Sequence, residues 1–182
     1  VEIRDHIVIF TLNRPQARNA FNPEQTQALE KALDDFEAND ELRCAILTGA
    51  GKAFCSGADL KEVAGGNALK LATIKGGFAG ITKRTRTKPV IGAINGPALA
   101  GGCEVALACD LLVAADTAMF GLPEVKRALV AAAGGLIRLP RAIGQAAAME
   151  AILTGEPISA QRAYELGMIS RLVGADQVLN EA

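Results

Sequence analysis

The feature that most limits the fold is an alternation of short apolar, β-branched runs with segments of helical periodicity along the whole chain. Strand-like runs occupy residues 6–12, 42–48, 89–94 and 111–114, and helical segments occupy residues 23–38, 101–108, 144–153 and 159–166. Glycine, proline and asparagine separate these segments, as they do at turns. Such alternation predicts an α/β architecture in which parallel strands are covered by helices.

Capping residues locate the starts of two of these helices. Asn22 precedes Pro23, with Gln25 three residues on, the pattern of an N-cap with proline at the first helical position and a capping-box partner. Ser159 opens the last helical segment and Gly167 follows its end. A further helix is predicted to begin near Val178.

Length and composition suggest one globular unit. A chain of 182 residues, with 50% hydrophobic and 21% charged residues, suits one well-buried core. We therefore expect a single domain over residues 1–182.

Charge and apolar patterning argue against nucleic acid and membrane as partners. The formal net charge of −1 gives no broad basic field, and the short run Lys83, Arg84, Arg86 and Lys88 is interpreted as a solvated helix end. The apolar tract 89–115 is interrupted by polar and acidic residues, so it does not form a lipid-spanning helix.

The cysteines and the first residues bear on the compartment. Four cysteines occur without a CxxC pair and in apolar surroundings, which favours reduced, buried thiols. Residues 1–5 carry no secretory pattern, so a cytoplasmic location is expected.

Several chemistries are disfavoured by residue type. The only histidine, His6, lies at the start of a strand, where a structural role is more usual than that of a catalytic base. No cluster of histidine and cysteine has metal-ligand spacing, so no metal is expected. The glycines around Gly51 match neither a P-loop nor a dinucleotide fingerprint.

Glu104 is the strongest candidate for chemistry. It lies among small and apolar residues, where burial is costly for a carboxylate and raises its pKa toward the range useful for proton transfer. The alternative is that Glu104 points to water from its helix. The glycines before it, up to Gly101 and Gly102, favour a backbone that approaches a ligand and presents N–H groups to a developing oxyanion. The small-residue loop 53–61 offers a second N–H donor.

Five segments resemble the crotonase (enoyl-CoA hydratase/isomerase) family. They are Leu12–Pro15 (LNRP), Gly51–Lys61 (GKAFCSGADLK), Asn95–Asp110 (NGPALAGGCEVALACD), Phe120–Glu124 (FGLPE) and Leu153–Ala160 (LTGEPISA). Each is weak alone, but together they span essentially the whole chain.

The resemblance implies a site and a substrate. Glu104 and Glu124 match the two catalytic carboxylates of the family, and the N–H groups of Ala58 and Gly101 match its oxyanion hole. An acyl thioester of coenzyme A is then the substrate, and no separate cofactor is needed. The acyl-CoA contacts so implied are Ala17, Lys52, Ala58, Asp59, Leu60, Lys61, Gly101 and Ala132.

The resemblance also implies an architecture. The family fold is a spiral of ββα units followed by C-terminal helices that help trimers pair, and segments for those helices are absent from this sequence. A homotrimer, or a hexamer built as a dimer of trimers, is expected.

Three positions depart from the family pattern. Gln16 replaces a common lysine, which weakens one phosphate contact, and Ala100 replaces the first glycine before Cys103 and Glu104. Residues 131–135 read AAAGG where relatives have PGAGG, so Ala132 keeps the N–H that relatives use to hold water but adds a methyl group.

The resemblance favours an enoyl-CoA hydratase that adds water across the 2,3 double bond in acyl-CoA catabolism. The alternatives are an isomerase that uses mainly Glu124, a carnitinyl-CoA-type dehydratase, and a non-catalytic acyl-CoA-binding subunit. The presence of both acids favours hydration over isomerisation.

Overall fold

A computed structural model describes every residue from Val1 to Ala182. The strands are β1 (Glu2–Arg4), β2 (Ile7–Leu12), β3 (Cys44–Gly49), β4 (Ala72–Thr73), β5 (Gly77–Phe78), β6 (Val90–Ile94), β7 (Ala98–Leu99), β8 (Leu111–Ala115), β9 (Met119–Gly121), β10 (Ile158–Ser159) and β11 (Arg171–Val173). The α-helices are α1 (Pro23–Ala38), α2 (Leu60–Ala64), α3 (Gly101–Leu107), α4 (Gly135–Ile143), α5 (Gln145–Thr154), α6 (Ala160–Glu165) and α7 (Val178–Glu181). Short 3-10 helices cover Pro15–Ala17, Ala68–Leu71 and Pro123–Arg127.

The main sheet has six strands in the order β1-β2-β3-β6-β8-β11. All neighbours in it are parallel except β1, which forms an antiparallel hairpin with β2. Ile46 of β3 lies opposite Ile9 on one side and Ile91 on the other, so apolar rows cross the sheet. The predicted α/β architecture with a parallel core sheet is confirmed.

A smaller sheet of three strands in the order β10-β9-β7 was not predicted from the sequence. Its strands have only two or three residues, too short to give a periodic signal. Ala98 of β7 pairs with Phe120 of β9, and Leu99 pairs with Gly121, in parallel. This pairing brings together two chain segments that lie about twenty positions apart in sequence, and both carry a candidate catalytic acid just beyond the strand.

Burial explains why α1 forms where the sequence predicted it. Leu29, Leu33 and Phe36 recur on one face of the helix and are buried in a core cluster of 40 residues. The Asn22 side chain accepts a hydrogen bond from the Gln25 N–H at 2.9 Å, as predicted. The reciprocal half of the capping box does not form, because the Gln25 side chain donates to the Asn19 carbonyl instead.

The basic run at residues 83–88 is not a solvated helix end, so that interpretation was wrong. The Arg84 side chain is only 2% exposed and forms an ion pair with Asp34. Arg86, 10% exposed at the side chain, pairs with Asp110 at 3.0 Å. Both guanidinium groups are buried because they form ion pairs with acidic residues distant in sequence. Such partners cannot be predicted from local periodicity.

Two further findings limit the chemistry of the chain. Cys55 and Cys103 are free, fully buried thiols, and burial raises the pKa of each to about 12, which makes them poor nucleophiles at neutral pH. None of the helices combines the length and the apolar character needed to cross a lipid bilayer.

Candidate active site

The parallel pairing of β7 with β9 places the two candidate acids on one cavity. Glu104 follows β7 on the first turn of α3, and Glu124 follows β9 in the 3-10 helix Pro123–Arg127. Both side chains line a cavity of about 1000 Å³. The sequence predicted the two residues, and the strand pairing is the physical reason that they meet.

Glu104 is buried, with 3% of the residue exposed, so it does not point to open solvent from its helix. Its Oε1 accepts hydrogen bonds from the N–H of Ala133 at 2.8 Å and of Gly135 at 2.9 Å. Burial raises the pKa of Glu104, while these two N–H groups and the nearby positive charge of Arg138 act in the opposite direction. Glu104 is therefore a desolvated carboxyl whose ionised form still has partners.

Glu124 is half-buried and has fewer partners. Its Oε2 is inaccessible and accepts no hydrogen bond within the protein. Burial raises the pKa of Glu124, its own backbone N–H lowers the pKa in part, and the negative charge of Glu104 raises it. Of the two acids, Glu124 is thus the one whose environment favours the protonated form.

The backbone beside these acids presents N–H groups that are not used in folding. The N–H groups of Ala58 and Gly101 donate to no protein acceptor. The two loops that carry them touch, because a Cβ on Gly57 would lie 2.8 Å from the Gly101 nitrogen. Both donor residues line the cavity, an arrangement suited to stabilising an oxyanion.

Ala100 enters α3 in a conformation that residues with a side chain rarely adopt. Its φ is 52° and its ψ is −131°. Glycine reaches such positive φ values without steric cost, whereas alanine is strained there. The Ala100 N–H donates to the Gly121 carbonyl at 2.9 Å, which helps to hold this turn beside β9.

Most of the residues predicted to contact acyl-CoA lie on the cavity wall. Ala17, Ala58, Asp59, Leu60, Lys61, Gly101 and Ala132 all line it together with Glu104 and Glu124. Lys52 does not. It is exposed beside Gly51 and is not part of the cavity lining, so its contact with acyl-CoA stays a prediction.

Asp59 has a structural partner that the sequence did not reveal. Its Oδ2 accepts from Arg14 Nη2 at 2.9 Å, and Oδ1 accepts from the Lys61 N–H at 3.1 Å at the start of α2. The Arg14 guanidinium lowers the pKa of the Asp59 carboxyl. Asp59 therefore braces the cavity wall, and its ion pair joins the LNRP turn to that wall.

Other residues of the cavity lining were not predicted as part of the site. They are Arg14, Arg18, Phe78, Lys83 and Arg127. Arg18, Lys83 and Arg127 form no salt bridge within the chain, so their charges face the cavity or solvent. Arg14 stands in the quoted LNRP segment, which was the one available signal.

Fold and site together define an acid–base enzyme that acts on a carbonyl compound, since two desolvated carboxyl groups face a pair of free N–H donors. Residues 2–182 match the profile of the enoyl-CoA hydratase/isomerase family. The chain belongs to that family.

Individual relatives agree with this assignment. The chain is 42% identical over 184 residues to a probable enoyl-CoA hydratase from Rhizobium meliloti (strain 1021), covering 100% of this chain and 71% of the relative. Its structure resembles enoyl-CoA hydratase EchA1 from Mycobacterium marinum with a TM-score of 0.94 and 49% identity, covering 99% of this chain and 70% of the other. A carnitinyl-CoA dehydratase from Mycobacterium avium 104 is similar at a TM-score of 0.92 and 45% identity, with coverage of 99% and 71%. The predicted crotonase-like fold is confirmed.

Proposed function

We propose that the chain is an enoyl-CoA hydratase that adds water in syn fashion across the 2,3 double bond of a 2-enoyl-CoA thioester. The observation that carries this proposal is that a buried acid, Glu104, and a half-buried acid, Glu124, line one cavity and have different partners. Hydration needs both a base and an acid, whereas a double-bond shift needs only one proton-transfer group.

The environments of the acids support a division of roles. Glu104, with two N–H donors and a nearby guanidinium, suits the ionised base that takes a proton from water as the hydroxyl oxygen bonds to C3. Glu124, without a partner for Oε2, suits the acid that delivers a proton to C2. A later exchange of protons with solvent returns both groups to their starting states. Each group contributes about 10²–10⁴ in rate.

The N–H groups of Ala58 and Gly101 are proposed to bind the thioester oxygen. As water attacks C3, negative charge develops on that oxygen, and two fixed donors stabilise it. One such donor contributes roughly 3–4 kcal/mol. The thioester provides the acidity at C2, and coenzyme A serves only to bind the substrate. The reaction therefore needs no cofactor.

The coenzyme A portion of the substrate is proposed to lie along Ala17 and the stretch Ala58–Lys61. Lys61 and Arg18 are exposed at the cavity and form no ion pair, which suits contact with the phosphate groups of coenzyme A. Lys83 also lines the cavity and forms no ion pair. Arg14 is less suited, because its guanidinium already serves Asp59 and the Ala20 carbonyl.

A carnitinyl-CoA-type dehydratase is the second candidate. A solved carnitinyl-CoA dehydratase from Mycobacterium avium 104 is 45% identical to this chain, and dehydration uses the same two acids in reverse. A panel of 2-enoyl, 3-enoyl and carnitinyl thioesters, followed by the loss or gain of the conjugated-thioester absorbance, distinguishes the activities. Hydration of a 2-enoyl thioester supports the proposal. Activity only on 3-enoyl or carnitinyl thioesters favours an alternative, and binding without turnover favours a non-catalytic subunit.

We also propose that residues 1–182 form one cytoplasmic folding unit that assembles as a homotrimer or a dimer of trimers. One core cluster of 40 buried residues supports the single unit. Leu69, 91% exposed, and Ile74, fully exposed at 107%, are large apolar side chains on the segment that carries the lining residues Ala72 and Thr73, and association would remove them from water. Light scattering coupled to size-exclusion chromatography tests the assembly.

A further inference from the structure

Arg138, on the first turn of α4, joins two segments of the cavity wall through its guanidinium. Its Nη2 donates to the Thr82 carbonyl at 2.5 Å, and its Nη1 donates to the Ala133 carbonyl at 3.2 Å. Thr82 and Ala133 both line the cavity that holds the two acids, although Arg138 itself does not. Arg138 therefore connects two segments of the cavity wall while lying outside the cavity lining.

The loop that Arg138 braces is the loop that holds Glu104. The Ala133 carbonyl accepts from Arg138, and the N–H of the same residue donates to Glu104 Oε1 at 2.8 Å. Gly135, two residues on, supplies the second N–H to that oxygen at 2.9 Å. A shift of the Ala133 peptide would therefore move a Glu104 hydrogen bond directly, whereas Glu104 Oε2 makes no protein hydrogen bond and remains available to a water molecule.

Gly134, the residue between these two donors, leaves space for the Arg138 guanidinium because it has no side chain. Gly134 has a φ of +105°, and a Cβ built on it would lie 2.1 Å from Arg138 Nη1. Glycine at this position thus serves two needs, a left-handed backbone and space for the arginine. An alanine there would force the guanidinium away from the Ala133 carbonyl.

The charge of Arg138 also acts on Glu104. Burial raises the pKa of Glu104, and the arginine is close enough to lower it in part. The other charged or titratable groups that act at this point are Glu124 from the neighbouring 3-10 helix and Cys103 beside Glu104 on α3. The charge of Glu104 raises the pKa of Glu124, which favours the protonated, uncharged form of that acid, and the Cys103 thiol stays neutral because burial raises its pKa to about 12. Arg138 is therefore the cation that favours ionised Glu104.

We infer that Arg138 is a positioning residue for Glu104, holding the 133–135 loop so that both N–H groups meet Oε1 and the carboxylate stays ionised to activate water. This inference rests on the proposed function, in which Glu104 is the base. It is distinct from a contact with substrate, since Arg138 lies outside the cavity lining.

The test compares Arg138→Met, which keeps most of the side-chain volume but removes charge and donors, with Arg138→Lys, which keeps the charge. Arg141→Met is the matched control, because Arg141 is an exposed arginine on the same helix without an ion pair. The first readout is the titration of the Glu104 carboxyl by carbon-13 NMR, assigned with Glu104→Gln. The second is the pH profile of kcat for hydration of a 2-enoyl-CoA.

For Arg138→Met we expect the Glu104 titration and the acid limb of the kcat profile to move together to higher pH. The kcat at neutral pH should fall about 10-fold or more, the scale of a small misplacement of a catalytic group, with KM little changed. Arg138→Lys should lie between this variant and the parent, and Arg141→Met should match the parent. An unmoved Glu104 titration in Arg138→Met, with activity loss explained by a smaller folded fraction, would overturn the inference. If the parent hydrates no enoyl-CoA, the proposed function fails instead, and the NMR titration still decides the role of Arg138.

Discussion

Gly135 donates its N–H to Glu104 Oε1 at 2.9 Å, so the first residue of α4 contacts the acid on the first turn of α3. A Cβ on Gly135 would lie 3.1 Å from that same oxygen, which leaves little space for a side chain. The N-terminus of α4 also carries the positive end of a helix dipole. The carboxylate is thus held by backbone groups whose position depends on two packed helices.

The first prediction concerns the proposed oxyanion donor at Gly101. A Cβ there would meet the edge of the Phe78 ring at 2.6 Å, a side chain that can move. Gly101→Val should therefore fold but displace the donor N–H, with a loss of about 10²-fold or more in kcat. Steady-state kinetics and calorimetry on the same preparation test this.

Gly102 provides the comparison. Its Cβ would lie 2.1 Å from the Cys55 carbonyl oxygen, which is backbone and does not yield easily. Gly102→Ala should therefore lose stability, whereas Gly101→Val should lose turnover with little change in Tm. If Gly101→Val unfolds as readily as Gly102→Ala, Gly101 is a structural glycine.

The second prediction concerns space for water at Ala132. This residue lines the cavity, its N–H donates to no protein group, and its methyl group occupies the position where the resemblance to the family implies glycine. Ala132→Gly should raise the hydration rate at an unchanged affinity for a saturated acyl-CoA. An equal or lower rate means that the methyl group does not crowd the nucleophile, although added backbone freedom works against the gain.

The third prediction concerns strain at Ala100, whose φ of 52° and ψ of −131° suit glycine. Ala100→Gly should stabilise the fold by about 1 kcal/mol, which raises the Tm by about 2–4 °C for a chain of this size. Ala151→Gly, in the interior of α5, should instead destabilise by about 1 kcal/mol or more. A Tm for Ala100→Gly that is no higher than that of the parent contradicts the strain.

The fourth prediction concerns pH and stability at Glu124. Burial and Glu104 raise the pKa of folded Glu124 above the unfolded value of about 4.3. The contribution of this carboxyl to the free energy of unfolding is therefore complete below about pH 4.3 and is lost as the pH rises through the folded pKa. Near pH 8, Glu124→Gln should therefore have a free energy of unfolding higher than that of the parent by up to about 1 kcal/mol after solvent screening. Denaturant titration of both proteins measures this difference.

Near pH 4 the advantage of Glu124→Gln over the parent should shrink. Comparing the two proteins at each pH cancels the carboxyl groups that they share, such as Asp34 and Asp59, whose pKa values are lowered and whose effects have the opposite sign. An advantage that does not grow with pH means that Glu124 is not desolvated.

Local signals sufficed for part of the fold. Asn22 and Ser159 act as N-caps as predicted, and Leu29, Leu33 and Phe36 form the buried face of α1. These features depend on residues within one or two turns of each other. By contrast, α4 contains Pro140 and begins at Gly135 directly after Gly134, so its sequence resembles a loop although tertiary packing makes it helical.

The site divides in a similar way. Glu104 and Glu124 were predicted because a lone acid in an apolar run and a family motif are both visible in the sequence. The roles of Arg138 and Arg14 were not, since each depends on carbonyl or carboxylate groups distant along the chain. Lys52 is exposed beside Gly51 and is not among the residues that line the cavity, so its contact with acyl-CoA stays a prediction.

The most direct test of the central claim is the hydration rate of a short 2-enoyl-CoA with the parent, Glu104→Gln and Glu124→Gln, alongside the affinity of each for a saturated acyl-CoA. We expect each substitution to lower kcat by about 10²-fold or more while binding stays nearly intact, because acid and base groups act mainly in the transition state. Near-parental turnover by either variant would remove that residue from the mechanism and contradict the two-acid site.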